Sequence, residues 1–202
     1  MKNRKTIYLM ITTFFMAIVL VQSIISWLGY LPLGAFVVGA APTIVQFTVA
    51  IGAILVGPKY GAVLGGFWGL TTLYIAWTTP GSIGSLMFQN PFTALLPRVA
   101  VGLLIGFIYQ RYFKNQHVGK QTVGLASLGV LAALINTVGV VILTTIGFSI
   151  MQTNFTGIPT HNILGWLIGI VWFNGIFEVI TGAILVPLIA GALIPIAKRL
   201  NI

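Results

Sequence analysis

The chain has 202 residues, of which 58% are hydrophobic and 5% are charged, and this composition excludes a soluble globular protein. A water-facing surface needs about 25% charged residues, and so apolar a chain would not stay solvated as a disordered one. The absence of cysteine excludes disulfides, thiolate metal sites and thiol catalysis. The composition therefore predicts an integral membrane protein.

Apolar runs along the chain predict six transmembrane helices, since about 20 residues are needed for one crossing. The first run follows basic residues and is too long for a cleaved signal peptide. A turn at Gly57-Pro58 separates the second and third runs, and the uncharged segments 78–90 and 151–162 are predicted to be loops. One all-α bundle over residues 1–202 is expected, with spans at about 7–28, 43–57, 61–77, 91–113, 122–150 and 164–197.

The positions of the cations predict the orientation of this bundle. With six spans both termini lie on one side, which then holds Lys2, Arg4, Lys5, Lys59, Arg111, Lys114, Lys120, Lys198 and Arg199. The loops on the opposite side contain no Lys or Arg. The positive-inside rule therefore predicts cytoplasmic termini in a multi-pass protein of the plasma membrane. The net charge of +9 is then a sign of topology and not of a nucleic-acid partner.

Two charged residues remain inside predicted spans, where ionisable groups are costly and indicate function. Arg98 follows Pro97 in the fourth span, and Glu178 lies near the middle of the sixth. We expect Arg98 to face an outward-open cavity and to bind an anionic group. A structural Arg98–Glu178 pair is the alternative, although the different predicted depths of the two residues favour separate roles.

Other polar residues at similar depths predict the floor of a small-molecule cavity. Asn136 lies near the middle of the fifth span, and Asn174 precedes Glu178 by one helical turn on the same face. Polar groups near the midplane of neighbouring helices suit a ligand-binding cavity. The alternative is interhelical hydrogen bonding, which commonly joins membrane helices.

Aromatic residues predict the walls of the cavity, because a small-molecule site needs apolar walls with a few polar anchors. Trp68, Tyr74 and Trp172 lie deeper than the interfacial belt where aromatic residues are common. The loop 82–90, with Phe88 and Asn90, is expected either to close over the cavity or to be a plain connection.

Catalytic and nucleotide-hydrolysing motifs are absent from the sequence. There is no Walker-type phosphate loop, no HExxH and no GxSxG. One acid cannot form a catalytic carboxylate pair, and His161 has no ligand partners near it. We therefore expect neither an enzyme nor a metal or cofactor site, but a binding subunit that draws its energy from elsewhere.

Two stretches of the sequence resemble a known transporter family. Residues 50–71, with the turn at Gly57-Pro58, resemble the hairpin of spans two and three in S components of energy-coupling factor (ECF) vitamin transporters. Residues 95–106, in which Pro97-Arg98 precedes Gly102, resemble the start of span four in that family. The resemblance covers essentially the whole chain and is greatest to the pantothenate type.

This resemblance implies a bacterial subunit that binds a vitamin from outside and delivers it by reorienting in the membrane. Its implied partners are a membrane T component and two cytoplasmic ATPase subunits. The family often carries two alanines on span one for docking to the T component, and this chain has Thr13 and Ala17 at that spacing.

Pantothenate is a carboxylate at pH 7, and we expect Arg98 to pair with it by charge-assisted hydrogen bonds. The amide and hydroxyls would need groups such as Asn136, Asn174 or Gln46. A neutral ligand would instead stack on Trp68, Tyr74 or Trp172. The alternatives are an S component for a pyridoxine-like compound, hydroxymethylpyrimidine, folate or riboflavin, or a stand-alone channel or facilitator.

Overall fold

A computed structural model describes residues 4–30, 42–80, 83–151 and 162–199 of the chain. These residues are almost entirely helical, which confirms the predicted all-α class and suits a medium where the backbone must satisfy its own hydrogen bonds. The helices are α1 (Arg4–Ile24), α2 (Ser26–Gly29), α3 (Val45–Val56), α4 (Pro58–Thr78), α5 (Ile83–Phe88), α6 (Pro91–Ile108, continued by a π-helical turn at Tyr109–Phe113), α7 (Val118–Met151) and α8 (Ile163–Arg199).

The helices follow the predicted apolar runs, but two boundaries differ. The first predicted span, 7–28, is interrupted where Ile25 takes an extended conformation between α1 and α2. The segment 78–90, which was predicted to be a loop, contains α5, because Met87 is buried and anchors that short helix. Asn90 then caps α6 by accepting a hydrogen bond from the backbone nitrogen of Phe92 at 2.9 Å.

Four helical stretches in the described part of the chain are long and apolar enough to cross a membrane. They are Arg4–Ile24, Pro91–Phe113, Val118–Ile150 and Val171–Arg199. The helix α3 is strongly apolar but has only 12 residues, which rise about 18 Å. The chain therefore has several helices of membrane-spanning length and composition.

Most of the described cations gather at one end of the molecule, which we call the basic end and which holds Arg4, Lys5, Lys59, Arg111, Lys114, Lys120, Lys198 and Arg199. There the Tyr8 and Tyr60 rings lie 5.7 Å apart, joining the starts of α1 and α4. A small cavity at this end is lined by α1, α3, α6 and α8, with Lys114 and Lys198 among its residues. The helices α1, α3, α4, α6, α7 and α8 therefore alternate in direction.

Glycines bring α4 and α6 into direct backbone contact. Gly102 of α6 faces the carbonyl of Gly61, and Gly65 of α4 faces the carbonyl of Arg98. A Cβ atom at Gly65 or Gly102 would overlap these carbonyl groups. The four-residue spacing of small residues is thus used for close helix packing, and it sets the position of Arg98 relative to α4.

Replacement of Gly102 by alanine is expected to destabilise the protein by about 1–3 kcal/mol, because the added methyl group would force α4 and α6 apart. The melting temperature of the purified protein in detergent measures this effect. The matched control is Gly169→Ala on α8, where nothing lies within 4 Å of an added Cβ. That control should keep or raise the melting temperature, since alanine is the better helix former. Equal responses of the two variants would contradict the close contact.

Candidate functional site

Arg98 is a buried cation held between two aromatic rings. Its side chain is 3% exposed, and its Cζ atom lies 4.9 Å from the ring centroid of Trp68 and 4.3 Å from that of Phe88. Its Nη1 atom donates a hydrogen bond to the carbonyl oxygen of Thr93 at 2.8 Å. The Nε atom is buried without a hydrogen-bond partner. The guanidinium therefore keeps an unused donor in a protein interior, where charged groups need partners.

Two helices, α4 and α5, supply the aromatic rings on either side of this guanidinium. Trp68 is a buried residue of α4, whose position relative to Arg98 follows from the glycine contacts. Phe88 ends α5 and packs against a cluster of buried side chains formed by Met87, Val140, Phe148 and Leu167. Favourable contact of a cation with both ring faces offsets part of the cost of burial, and it fixes the plane in which Arg98 presents its donors.

Glu178, the one acid in the sequence, is also buried, and each of its carboxylate oxygens accepts a hydrogen bond. Its Oε1 atom accepts a hydrogen bond from the backbone nitrogen of Thr43 at 2.9 Å. Its Oε2 atom accepts one from the hydroxyl of Thr137 at 2.7 Å. Thr43 also pairs with Tyr30 in an isolated bridge. Glu178 therefore clamps the start of α3 to α7 and α8.

These bonds bear on the alternative of an Arg98–Glu178 pair. One carboxylate oxygen accepts from Thr43 and the other from Thr137, whereas the described hydrogen bond of Arg98 goes to Thr93. The two opposite charges nevertheless lie within electrostatic range of each other and of Tyr30. Arg98 and Glu178 thus share one polar interior but have different hydrogen-bond partners.

Two amide side chains in this interior have unpaired polar atoms. Gln46 of α3 is 0% exposed; its Nε2 atom lies beside the Glu178 carboxylate, towards which it can donate, and its Oε1 atom has no hydrogen-bond partner. The Oδ1 atom of Asn136 on α7 is likewise buried and unpaired. A buried polar atom without a partner costs about 1–3 kcal/mol. These amides therefore point to a polar ligand that would bind them.

Two of the predicted wall residues lie elsewhere. Tyr74 is 70% exposed and Trp172 is 57% exposed, so both rings face outward from the bundle. Tyr74 lies six residues after the buried Trp68 in α4, and Trp172 lies six residues before the buried Glu178 in α8. Six residues place a side chain about 120° around the helix from the buried one. Depth in a span does not determine the face of a helix, and the prediction that Tyr74 and Trp172 contact a ligand stays a prediction.

The remaining predicted residues have mixed positions. Asn90 caps α6, and its Nδ2 atom lies close to Gly147 of α7, so its role here is structural. Asn174 is half-buried on α8 and already takes part in an interaction. Thr13 and Ala17 are exposed on α1. His161 lies outside the described residues.

Threonines are the site residues that the sequence analysis missed. Thr43 and Thr137 hold Glu178, whereas Thr93 and Thr144 are buried with hydroxyl groups that have no partner. Threonine is common in membrane helices, so these positions carried no distinctive sequence pattern. In the part of the chain that the structure describes, no group of three or more potential metal ligands occurs.

Comparisons with known proteins agree on one family. The family model for the substrate-specific component of ECF transporters matches residues 8–190. A protein of Leuconostoc mesenteroides named "Pantothenate transporter PanT" is 67% identical over 202 residues, which cover 100% of this chain and 99% of the relative. "Pantothenic acid transporter PanT" of Lactococcus lactis is 36% identical over 166 residues, which cover 75% of this chain and 77% of the relative.

Removal of the carboxylate in Glu178→Ala is expected to destabilise the protein, because the Thr43 nitrogen and the Thr137 hydroxyl both lose their acceptor. Hydrogen bonds to a charged group contribute about 1.5–3 kcal/mol each. Glu178→Gln keeps one oxygen acceptor and should lose less. Thermal unfolding in detergent distinguishes the two variants.

The control for this prediction is Thr145→Val, whose hydroxyl donates within its own helix to the Val141 carbonyl at 2.8 Å. Its melting temperature should stay close to that of the wild type. A Glu178→Ala protein as stable as the wild type would show that the clamp does not hold α3 in place.

Proposed function

This chain belongs to the family of substrate-specific components of ECF transporters, and on that premise we propose that it binds pantothenate and mediates its uptake. It is a transport protein and not an enzyme. The identity of 67% along the whole of a pantothenate transporter supports the choice of ligand. The relative of 36% identity carries a name with the same ligand.

The buried Arg98 guanidinium is the observation that carries the proposal. Pantothenate is a carboxylate at pH 7, and a charge-assisted hydrogen bond to Arg98 would compensate a buried cation. Glu178 lies within electrostatic range of Arg98, but its described hydrogen bonds go to Thr43 and Thr137, so the guanidinium keeps a donor for a ligand. A neutral pyridoxine-like or pyrimidine ligand would leave the guanidinium unpaired, which counts against those alternatives.

The unpaired amides suit the rest of the same ligand. Gln46 offers both a donor and an acceptor, and Asn136 offers an acceptor. The ligand has an amide and two hydroxyl groups, which need partners of both kinds. We assign the carboxylate to Arg98 between Trp68 and Phe88, and the polar remainder to the Gln46 and Asn136 amides.

The proposed topology places the basic end in the cytoplasm. Six helices, α1, α3, α4, α6, α7 and α8, would cross the plasma membrane, with both termini inside according to the positive-inside rule. The site lies towards the opposite end, because Arg98 reaches back to Thr93 near the start of α6. Pantothenate would then enter from outside.

The proposed partners are a membrane T component and two ATPase subunits, as the family implies. Thr13 and Ala17 lie on the exposed face of α1, which also carries Met10 and Phe14. We assign this face to the T component, because small side chains there would let another helix approach closely. Delivery would follow reorientation of the subunit in the membrane.

Replacement of Arg98 by glutamine is expected to weaken pantothenate binding at least 100-fold, because a buried charge-assisted pair is lost. Isothermal titration calorimetry of the purified chain measures this. Arg111→Gln, at an exposed arginine of the basic end, is the matched control and should bind normally. Unchanged affinity in folded Arg98→Gln protein would contradict the proposed site.

A second ligand sharpens this test. The alcohol analogue of pantothenate has a hydroxymethyl group in place of the carboxylate. The wild type should prefer pantothenate strongly, and Arg98→Gln should lose that preference. An equal preference in both proteins would show that Arg98 does not distinguish the carboxylate from the hydroxymethyl group.

The absence of cysteine allows the orientation to be tested with single-cysteine variants. Gln116→Cys follows α6 at the basic end, and Thr79→Cys follows α4 at the opposite end. In intact cells a membrane-impermeant maleimide should label the cysteine at position 79 and leave that at position 116 unlabelled until the membrane is opened. The reverse pattern would place the basic end outside.

A further inference from the structure

We propose that Thr93 and Thr144 complete an anion site around Arg98 and donate their hydroxyl hydrogens to the carboxylate of the ligand. The inference rests on the proposed function only in taking that carboxylate to be pantothenate's. It adds two donors, on two helices, to the part of the site that binds the carboxylate, where the guanidinium is the one group assigned so far.

The first observation is that both hydroxyl groups are buried and unpaired. Thr93 is 0% exposed and Thr144 is 2% exposed, and neither Oγ1 atom has a hydrogen-bond partner. Threonines in helices usually bond to the carbonyl four residues earlier. Thr72 does so with Trp68 at 2.9 Å, and Thr145, the neighbour of Thr144, does so at 2.8 Å. Thr144 therefore keeps a donor that its neighbour uses, and Thr93, in the first turn of α6, also keeps its donor.

The second observation is that the two threonines lie at the same level of the antiparallel pair α6 and α7. A Cβ at Gly139 would lie 3.1 Å from the Cβ of Pro97. One at Gly147 would lie 2.8 Å from the Nδ2 of Asn90. Between these two contacts the register places Thr93 opposite Thr144.

The third observation is that the Arg98 guanidinium lies at this level too. Its Nη1 atom donates a hydrogen bond to the carbonyl oxygen of Thr93, five residues earlier in α6. The side chain therefore extends towards the start of α6 by more than one turn. Phe88, which covers the guanidinium at 4.3 Å, packs in the cluster that contains Val140 and Phe148. These two residues lie one turn before and one turn after Thr144 on α7. Both threonines therefore lie at the level of the guanidinium.

The chemistry of a carboxylate matches this set of donors. Its two oxygens accept about four hydrogen bonds, whereas one guanidinium fills at most two of these positions. Two hydroxyl groups would fill the remaining positions without adding charge. In a buried site these donors also favour the anion over a neutral analogue, which accepts fewer bonds.

The test uses Thr93→Val and Thr144→Val in the full chain, since valine keeps the shape and removes the hydroxyl. Each variant should bind pantothenate about 10-fold more weakly, as expected for one hydrogen bond to a charged group. Thr144→Ser keeps the hydroxyl and should retain most of the affinity. The matched control is Thr145→Val, whose lost hydroxyl bonds only to its own helix, and its affinity should be unchanged.

The melting temperature without ligand separates a binding role from a structural one. Removal of an unpaired buried hydroxyl should leave that temperature unchanged or raise it, while the increase caused by pantothenate becomes smaller. A lower melting temperature without ligand in both valine variants would show that the hydroxyls support the fold, and it would overturn the inference.

The affinities distinguish this inference from the proposed function. If Arg98→Gln abolishes binding while both valine variants bind as the wild type does, the threonine assignment is wrong and the proposed function stands. If the wild type binds no pantothenate, both are overturned. A smaller loss for the alcohol analogue than for pantothenate in the valine variants supports the assignment to the carboxylate.

Discussion

The burial of the Arg98 guanidinium between Trp68 and Phe88 is the interaction on which the site depends. A lone cation in an apolar interior is costly, and the aromatic faces offset only part of that cost. The glycine contact of α4 with α6 sets the place of one ring, and α5 brings the other. Much of the packing at the end opposite the basic end thus holds the Arg98 guanidinium in a defined plane.

The one acid in the sequence has a different task. Glu178 gives its two oxygens to Thr43 and Thr137, so it ties the start of α3 to the pair α7 and α8. This tie places Gln46, three residues after Thr43, in the polar interior. On the proposed assignment, the ligand carboxylate pairs with Arg98, and Glu178 maintains the shape of the site through its hydrogen bonds.

The sequence allowed the class of protein and the two decisive residues to be predicted, because hydropathy and charge are strong along a membrane chain. The apolar runs located the long helices, and Arg98 and Glu178 stood out as charges within them. Hydropathy reports depth but not which face of a helix packs inward. The outward orientation of Tyr74 and Trp172 could not be predicted for that reason, and the free hydroxyls of Thr93 and Thr144 became visible only through their missing partners.

The contact between Gly65 and the Arg98 carbonyl has a consequence for engineering the range of ligands. Two helices whose backbones touch have no side chains between them that can be shortened to make room. Shortening side chains between α4 and α6 would therefore not make room for a larger compound. The two helices also could not move closer together to fit a smaller one. Redesign would have to proceed from the α5 or α7 side, where side chains form the boundary.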